Sequence, residues 1–116
     1  CEVRLMNDAN YPWVILVPRV NGATELYHLS QAQRAQLDRE SIFLSQTLMT
    51  AYQGKKLNTA ALGNVVSQLH IHHVVRFDTD VAWPGPIWGK VDVIPRTEND
   101  IAVQLQVLND LAYPPF

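Results

Sequence analysis

The segment Gln68-Leu69-His70-Ile71-His72-His73-Val74-Val75-Arg76 leaves the backbone little choice. It is rich in β-branched residues and free of Gly and Pro, so it reads as a strand. Successive strand side chains point to opposite faces. Gln68, His70 and His72 therefore share one face, and Leu69, Ile71 and His73 the other. Two imidazoles and an amide at a spacing of two make a chemical surface. A strand needed only for packing would carry Val, Ile or Thr there.

At 116 residues the chain is read as a single domain spanning 1–116. The formal charge of -2 argues against a nucleic-acid surface as the main business. Cys1 is the only cysteine, which excludes an internal disulfide framework and fits a reducing, cytoplasmic setting. No apolar run approaches membrane-spanning length and no signal-peptide pattern is visible, so no membrane partner is expected. The sequence opens at Cys1 in the middle of a strand-like pattern, from which some N-terminal sequence is expected to be missing.

The hydrophobic pattern predicts an α+β alternation. Residues 2–7 alternate as a strand, and Asn7-Asp8-Ala9-Asn10 is a turn cluster. Pro12 and Pro18 enclose the apolar run Trp13-Val14-Ile15-Leu16-Val17, a buried strand in which Trp13 is expected to be core. Ser30 and Gln33 form a capping-box pattern that opens a helix running to about Tyr52. Its inward stripe is Leu37, Leu44, Leu48 and Tyr52, with Gly54 suited to the position past its end. Strands are expected over 56–62 and 69–77, joined across Gly63-Asn64. Thr97 caps a last helix with the stripe Ile101, Leu105, Leu108 and Ala112. Between them, Trp83-Pro84-Gly85-Pro86-Ile87-Trp88-Gly89 cannot be regular structure. It reads either as a proline-stiffened loop packed on the sheet, or as a lid in which Trp83 or Trp88 stacks near the site.

A neutral imidazole is a competent nucleophile toward phosphorus and can later leave. His70 and His72, one pleat apart on one face, suit phosphoryl or nucleotidyl transfer, with a strand carbonyl free to fix the tautomer of His70. Gln68 cannot titrate and would orient or make a polar contact. Gly63-Asn64 offers a flexible corner and an amide donor where phosphate could approach. Two other readings stand beside this one. His-x-His on a strand is also a metal-ligand pair, completed by His28, Asp78 or Asp80, and the strand could be merely structural. His73 alone is expected to be structural, and His28 solvated.

The run from Gly63 to Arg76 resembles the signature of the histidine triad (HIT) superfamily, His-φ-His-φ-His-φ-φ with φ apolar. Anchored on Arg76, Gln68 falls at the first triad histidine, His70 at the middle one, His72 at the last, and His73 at an apolar position. Leu5-Met6-Asn7-Asp8, the run from Pro12 to Pro18, the helix after Leu29-Ser30, and Leu57-Asn58 follow the family's order, so that the resemblance covers residues 2–77. It implies a HIT-like α+β fold: an antiparallel sheet packed with one long helix and a C-terminal helix. It implies that His70 attacks the α-phosphorus of a nucleotide ester, anhydride or phosphoramidate and becomes nucleotidylated. His72 would contact the phosphate and assist protonation of the leaving group or of water. Asn64 and Asn58 would bind phosphate and line the site, and Asn7 would lie near the ribose. Family members are typically homodimers and need no catalytic metal or other cofactor.

One departure bears on function. Gln68 stands where the family has its first histidine, a position that mainly supports the other two, and glutamine replaces the last triad histidine in the uridylyltransferase branch. The sequence thus implies a nucleotide hydrolase or nucleotidyltransferase, with a non-catalytic nucleotide-binding module as the alternative.

Overall fold

A computed structural model describes residues 1–111. Strands β1 (Glu2–Leu5), β2 (Trp13–Val17), β3 (Lys56–Ala60) and β4 (Ile71–Arg76) form one antiparallel sheet in the order β1-β2-β4-β3. Helix α1 (Gln31–Tyr52) covers one face of it, and α2 (Glu98–Asn109) follows near the end of the chain. The α+β antiparallel architecture expected from the sequence is the one observed. Among the described residues, no helix is long and apolar enough to cross a membrane.

The two central strands are buried on both faces, which explains why β2 is continuously apolar instead of alternating. Val14, Leu16 and Val75 face α1 and pack with Leu37, Leu44 and Leu48. On the opposite face Trp13 and Val74 pack with Tyr11, Ala82 and Ile87, so residues 77–89 fold back over the sheet as its second cover. Burial of these side chains is the main stabilising term, at roughly 1.5–3 kcal/mol for each large apolar group.

The helix signals hold in detail. Ser30 and Gln33 bond reciprocally at the start of α1, and the Thr97 hydroxyl accepts from the N–H of Asp100 at the start of α2. The end of α1 differs from expectation: Gln53, not Gly54, takes the left-handed conformation, at φ 53°. Gly54 is small for another reason, since a Cβ there would lie 2.4 Å from Val75 Cγ1. In α2 only Leu108 is buried, while Ile101 is half-buried and Leu105 exposed; Ala112 lies outside the described residues.

The second cover is held at its root by Arg76. This side chain, 1% exposed at the end of β4, gives Asp80 a two-pronged ion pair of 2.8 and 3.0 Å. Nη1 of Arg76 donates to Asn58 Oδ1 at 2.7 Å, and the guanidinium lies near the rings of Tyr11 and Trp83. Asp80 also accepts the N–H groups of Phe77 and Ala82. Burial pushes the Asp80 carboxyl up, but the bonds from Arg76, Phe77 and Ala82 outweigh it and hold the group below its usual range. Removing one member of such a pair strands a buried charge. Asp80→Ala is therefore expected to lose about 3–5 kcal/mol in urea unfolding, and a loss below about 1 kcal/mol would show that Arg76 finds another partner.

Candidate active site

Strand β4 begins at Ile71, so Gln68 and His70 lie just ahead of it and not within it. The alternation nevertheless persists through them. Leu69 is buried in the α1-side core and its N–H donates to Ala23 O at 2.8 Å, which keeps the approach to β4 extended. Gln68, His70 and His72 consequently line one cleft, of about 410 Å³, together with Arg4, Met6, Ile15, Val17 and Val66. This size is ordinary for a small-ligand site. His73 points the other way. Its Nε2 lies 2.7 Å from Ser41 Oγ on α1 and its Nδ1 lies 3.1 Å from Ile71 O. It is a satisfied buried histidine, pushed by burial below its usual pKa.

The hydrogen bonds fix which nitrogen carries the proton on each cleft imidazole. His70 Nδ1 lies 2.6 Å from the backbone carbonyl of Gln68. A carbonyl only accepts, so Nδ1–H donates and neutral His70 has its lone pair on Nε2. His72 is the reverse. Its Nδ1 accepts the indole N–H of Trp13 at 2.9 Å, so neutral His72 carries its proton on Nε2. The two rings stand edge to face with centroids 5.0 Å apart. One wall of the cleft thus presents a lone pair and an N–H donor side by side.

His72 is 6% exposed and is enclosed by Trp13 and Trp88, with ring centroids at 5.6 and 5.3 Å. This burial pushes its pKa down from 6.5 to about 4, and the nearby His70 and His73 push the same way. The ring is neutral at physiological pH. The Trp13 bond acts in the same direction, because Nδ1 cannot be protonated while it accepts a hydrogen bond.

The glutamine at the first position retains two supporting contacts. Its backbone carbonyl orients His70, a task any residue could perform. Its side-chain amide lies 3.4 Å from the carbonyls of both Pro18 and Val20, bracing the end of β2. The expected asparagines are placed elsewhere in this chain. Asn58 accepts from Arg76, Asn7 Oδ1 accepts the N–H of Arg96 at 2.7 Å, and Asn64 is exposed on the loop past Gly63; none of the three lines the cleft. His28 accepts from the N–H groups of Thr24 and Glu25, and Asp80 is committed to Arg76. Among the described residues no cluster of three or more His, Cys, Asp or Glu is placed to hold a metal ion.

The sequence pattern places Trp13 in the core, and the structure adds its bond to His72. Periodicity could not reveal it, because the contact depends on the register Trp13↔Val74 and Ile15↔His72 between β2 and β4. The tryptophan-rich loop divides between its two readings: Trp83 packs near Arg76, and Trp88 stands against His72.

The HIT domain family model matches residues 1–79. The chain belongs to the histidine triad family. Among solved structures it is similar to a histidine triad protein from Marinobacter aquaeolei, 52% identical over 97% of this chain and 85% of that one, with a TM-score of 0.89. It is also similar to one from Bradyrhizobium japonicum, at 38% identity, 97% and 84% coverage and a TM-score of 0.93. A third, from Sinorhizobium meliloti, has 37% identity, 96% and 83% coverage and a TM-score of 0.89. A search of curated protein sequences gives no match. HIT membership supports a nucleotide-binding or hydrolase function for the chain.

The low pKa of His72 has a definite sign. An unfolded histidine takes a proton near pH 6.5 and folded His72 only near 4, so stability falls as pH drops through that window and levels off below it. Trp13→Phe removes the donor on Nδ1 and loosens the enclosure. Its expected effect is a rise of the His72 pKa toward 6.5, read from the ring Cε1–H resonance in an NMR titration; an unchanged midpoint would exclude a role for the indole.

Proposed function

We propose that this HIT protein is a nucleotide hydrolase or nucleotidyltransferase that works through a nucleotidyl-His70 intermediate. The observation that carries the reading is the opposed tautomer pair on one cleft wall, a free Nε2 lone pair on His70 beside an Nε2–H on His72. A nucleotide ester, anhydride or phosphoramidate presents an α-phosphorus that is open to attack and oxygens that want donors.

In the first step the lone pair of His70 Nε2 forms a bond to the α-phosphorus. The bond from phosphorus to the leaving group breaks with its electron pair, and the leaving group takes its proton from water. Nδ1–H, held on the Gln68 carbonyl, stabilises the positive charge that develops on the ring. In the second step water or another acceptor attacks the same phosphorus, its proton passes to solvent, and His70 is released. His72 is neutral at physiological pH and lacks the second proton that a general acid would give up. We therefore assign its Nε2–H to a non-bridging phosphoryl oxygen, where a preorganised donor is worth about 2.7–4 kcal/mol in the transition state. This narrows the role that the family resemblance implies for it. Gln68 acts through its backbone carbonyl, so the loss of the first histidine leaves the nucleophile's orientation intact.

Intact mass spectrometry after brief mixing with nucleoside phosphoramidates and dinucleoside polyphosphates tests the mechanism. A nucleotide-sized adduct is expected on the wild type and none on His70→Ala, while His72→Ala should slow its formation about 10²–10³-fold. An adduct that survives in His70→Ala would overturn the assignment. Nucleotide that raises the melting temperature with neither adduct nor turnover would instead identify a binding module.

A further inference from the structure

Among the described residues that line the cleft, Arg4 is the one cation, and its position across the sheet is informative. Arg4 pairs with Ile15, and Ile15 pairs with His72, so these three residues form a single row running from β1 over β2 to β4. With strands about 4.8 Å apart, Arg4 and His72 are separated by roughly 10 Å of sheet. That is the scale of a nucleoside measured from its phosphate to the outer edge of its base. The floor between them is apolar: Ile15 and Val17 on β2, Met6 beyond β1 and Val66 from the loop. A flat ring can lie on such a floor, but the floor cannot tell one base from another.

Arg4 can. Its Nε donates to Glu2 Oε1 at 2.7 Å, and Glu2 is the neighbour on the same strand face. This contact braces the guanidinium, and among the described residues neither terminal nitrogen has a hydrogen-bond partner, which leaves a planar fork. Arg4 holds the Glu2 carboxyl below its usual range, which keeps the brace ionised. A fork of donors is satisfied by two adjacent acceptors. Guanine offers O6 and N7 side by side, whereas adenine places the N6 amino donor next to N7. The pyrimidines are shorter by one ring.

We propose that the cleft selects guanine nucleotides, with the base on the Ile15–Val17 floor and Arg4 as the specificity-determining residue reading its O6/N7 edge. The proposal rests on the reading of the His70–His72 wall as the phosphate end of a nucleotide site. Because Arg4 does not touch the reacting atoms, its effect appears in binding even where no turnover occurs.

Calorimetric dissociation constants for GMP, AMP, CMP and UMP on the wild type, Arg4→Leu and Arg4→Lys provide the test. The wild type is expected to bind GMP about fivefold or more tighter than the other three. Arg4→Leu should remove that preference. Arg4→Lys keeps the charge and donors that can reach the O6/N7 edge but not the planar fork, and should weaken the preference while retaining affinity for the shared phosphate. The Arg4 side chain is 65% exposed, so both variants are expected to fold, checked by an unchanged melting temperature. Equal binding of all four nucleotides, tighter binding of AMP or a pyrimidine nucleotide, a GMP preference that survives in Arg4→Leu, or no binding at all would overturn the proposal. Preferential GMP binding without an adduct on His70 would support it while rejecting the catalytic reading, so the two failures are distinguishable.

Discussion

The buried ion pair between Arg76 and Asp80 is the contact on which the architecture of the site depends. A sheet with both faces of its central strands apolar needs two covers. The first is a regular helix, whose capping and hydrophobic stripe make it partly self-specifying. The second is an irregular segment, and nothing in its local pattern would hold it against the sheet. Arg76 does so by reaching from the end of β4 to Asp80, whose carboxylate in turn closes the turn through the N–H groups of Phe77 and Ala82. Ala82 and Ile87 then enter the core beside Trp13 and Val74, and Trp88 arrives against His72.

That placement is electrostatic in effect. Enclosed by two indoles, His72 loses the hydration that would favour its imidazolium, and it stays neutral with its one proton on Nε2. His70, at the half-open mouth of the same cleft, is oriented by a backbone carbonyl and carries its lone pair on the equivalent nitrogen. Two chemically identical side chains are thereby given complementary duties by their partners, a carbonyl in one case and an indole N–H in the other. The orientation of His70 also requires nothing of the side chain at position 68. What His70 takes from that residue is its main-chain oxygen.

Much of this was legible in the chain. The capping box at Ser30, the stripe Leu37–Leu44–Leu48, the doubly buried run from Trp13 to Val17 and the sorting of Gln68, His70 and His72 from His73 all follow from local periodicity, and all are observed. The departures are equally physical. Gly54 is small because β4 comes close to it, not because the helix ends on it. Asn7 and Asn58 bond to Arg96 and Arg76, arginines distant in sequence. Trp13, which reads as a core residue, is also the hydrogen-bond donor that sets the tautomer of His72. Each of these depends on a residue far along the chain, which no window of neighbouring residues contains.

The division between the two levels is therefore clear. Periods of two and of 3.6 residues are properties of the backbone, so the order of residues alone determined the strands, the long helix and which histidines share a face. Register between strands and the fold-back of residues 77–89 arise only when distant segments are packed. Tertiary structure alone therefore decided the tautomer of His72, the partners of the Gln68 side chain and the alignment of Arg4 with His72 across the sheet. The local chain supplied both imidazoles and set the proton of His70; the packing around His72 assigned the other.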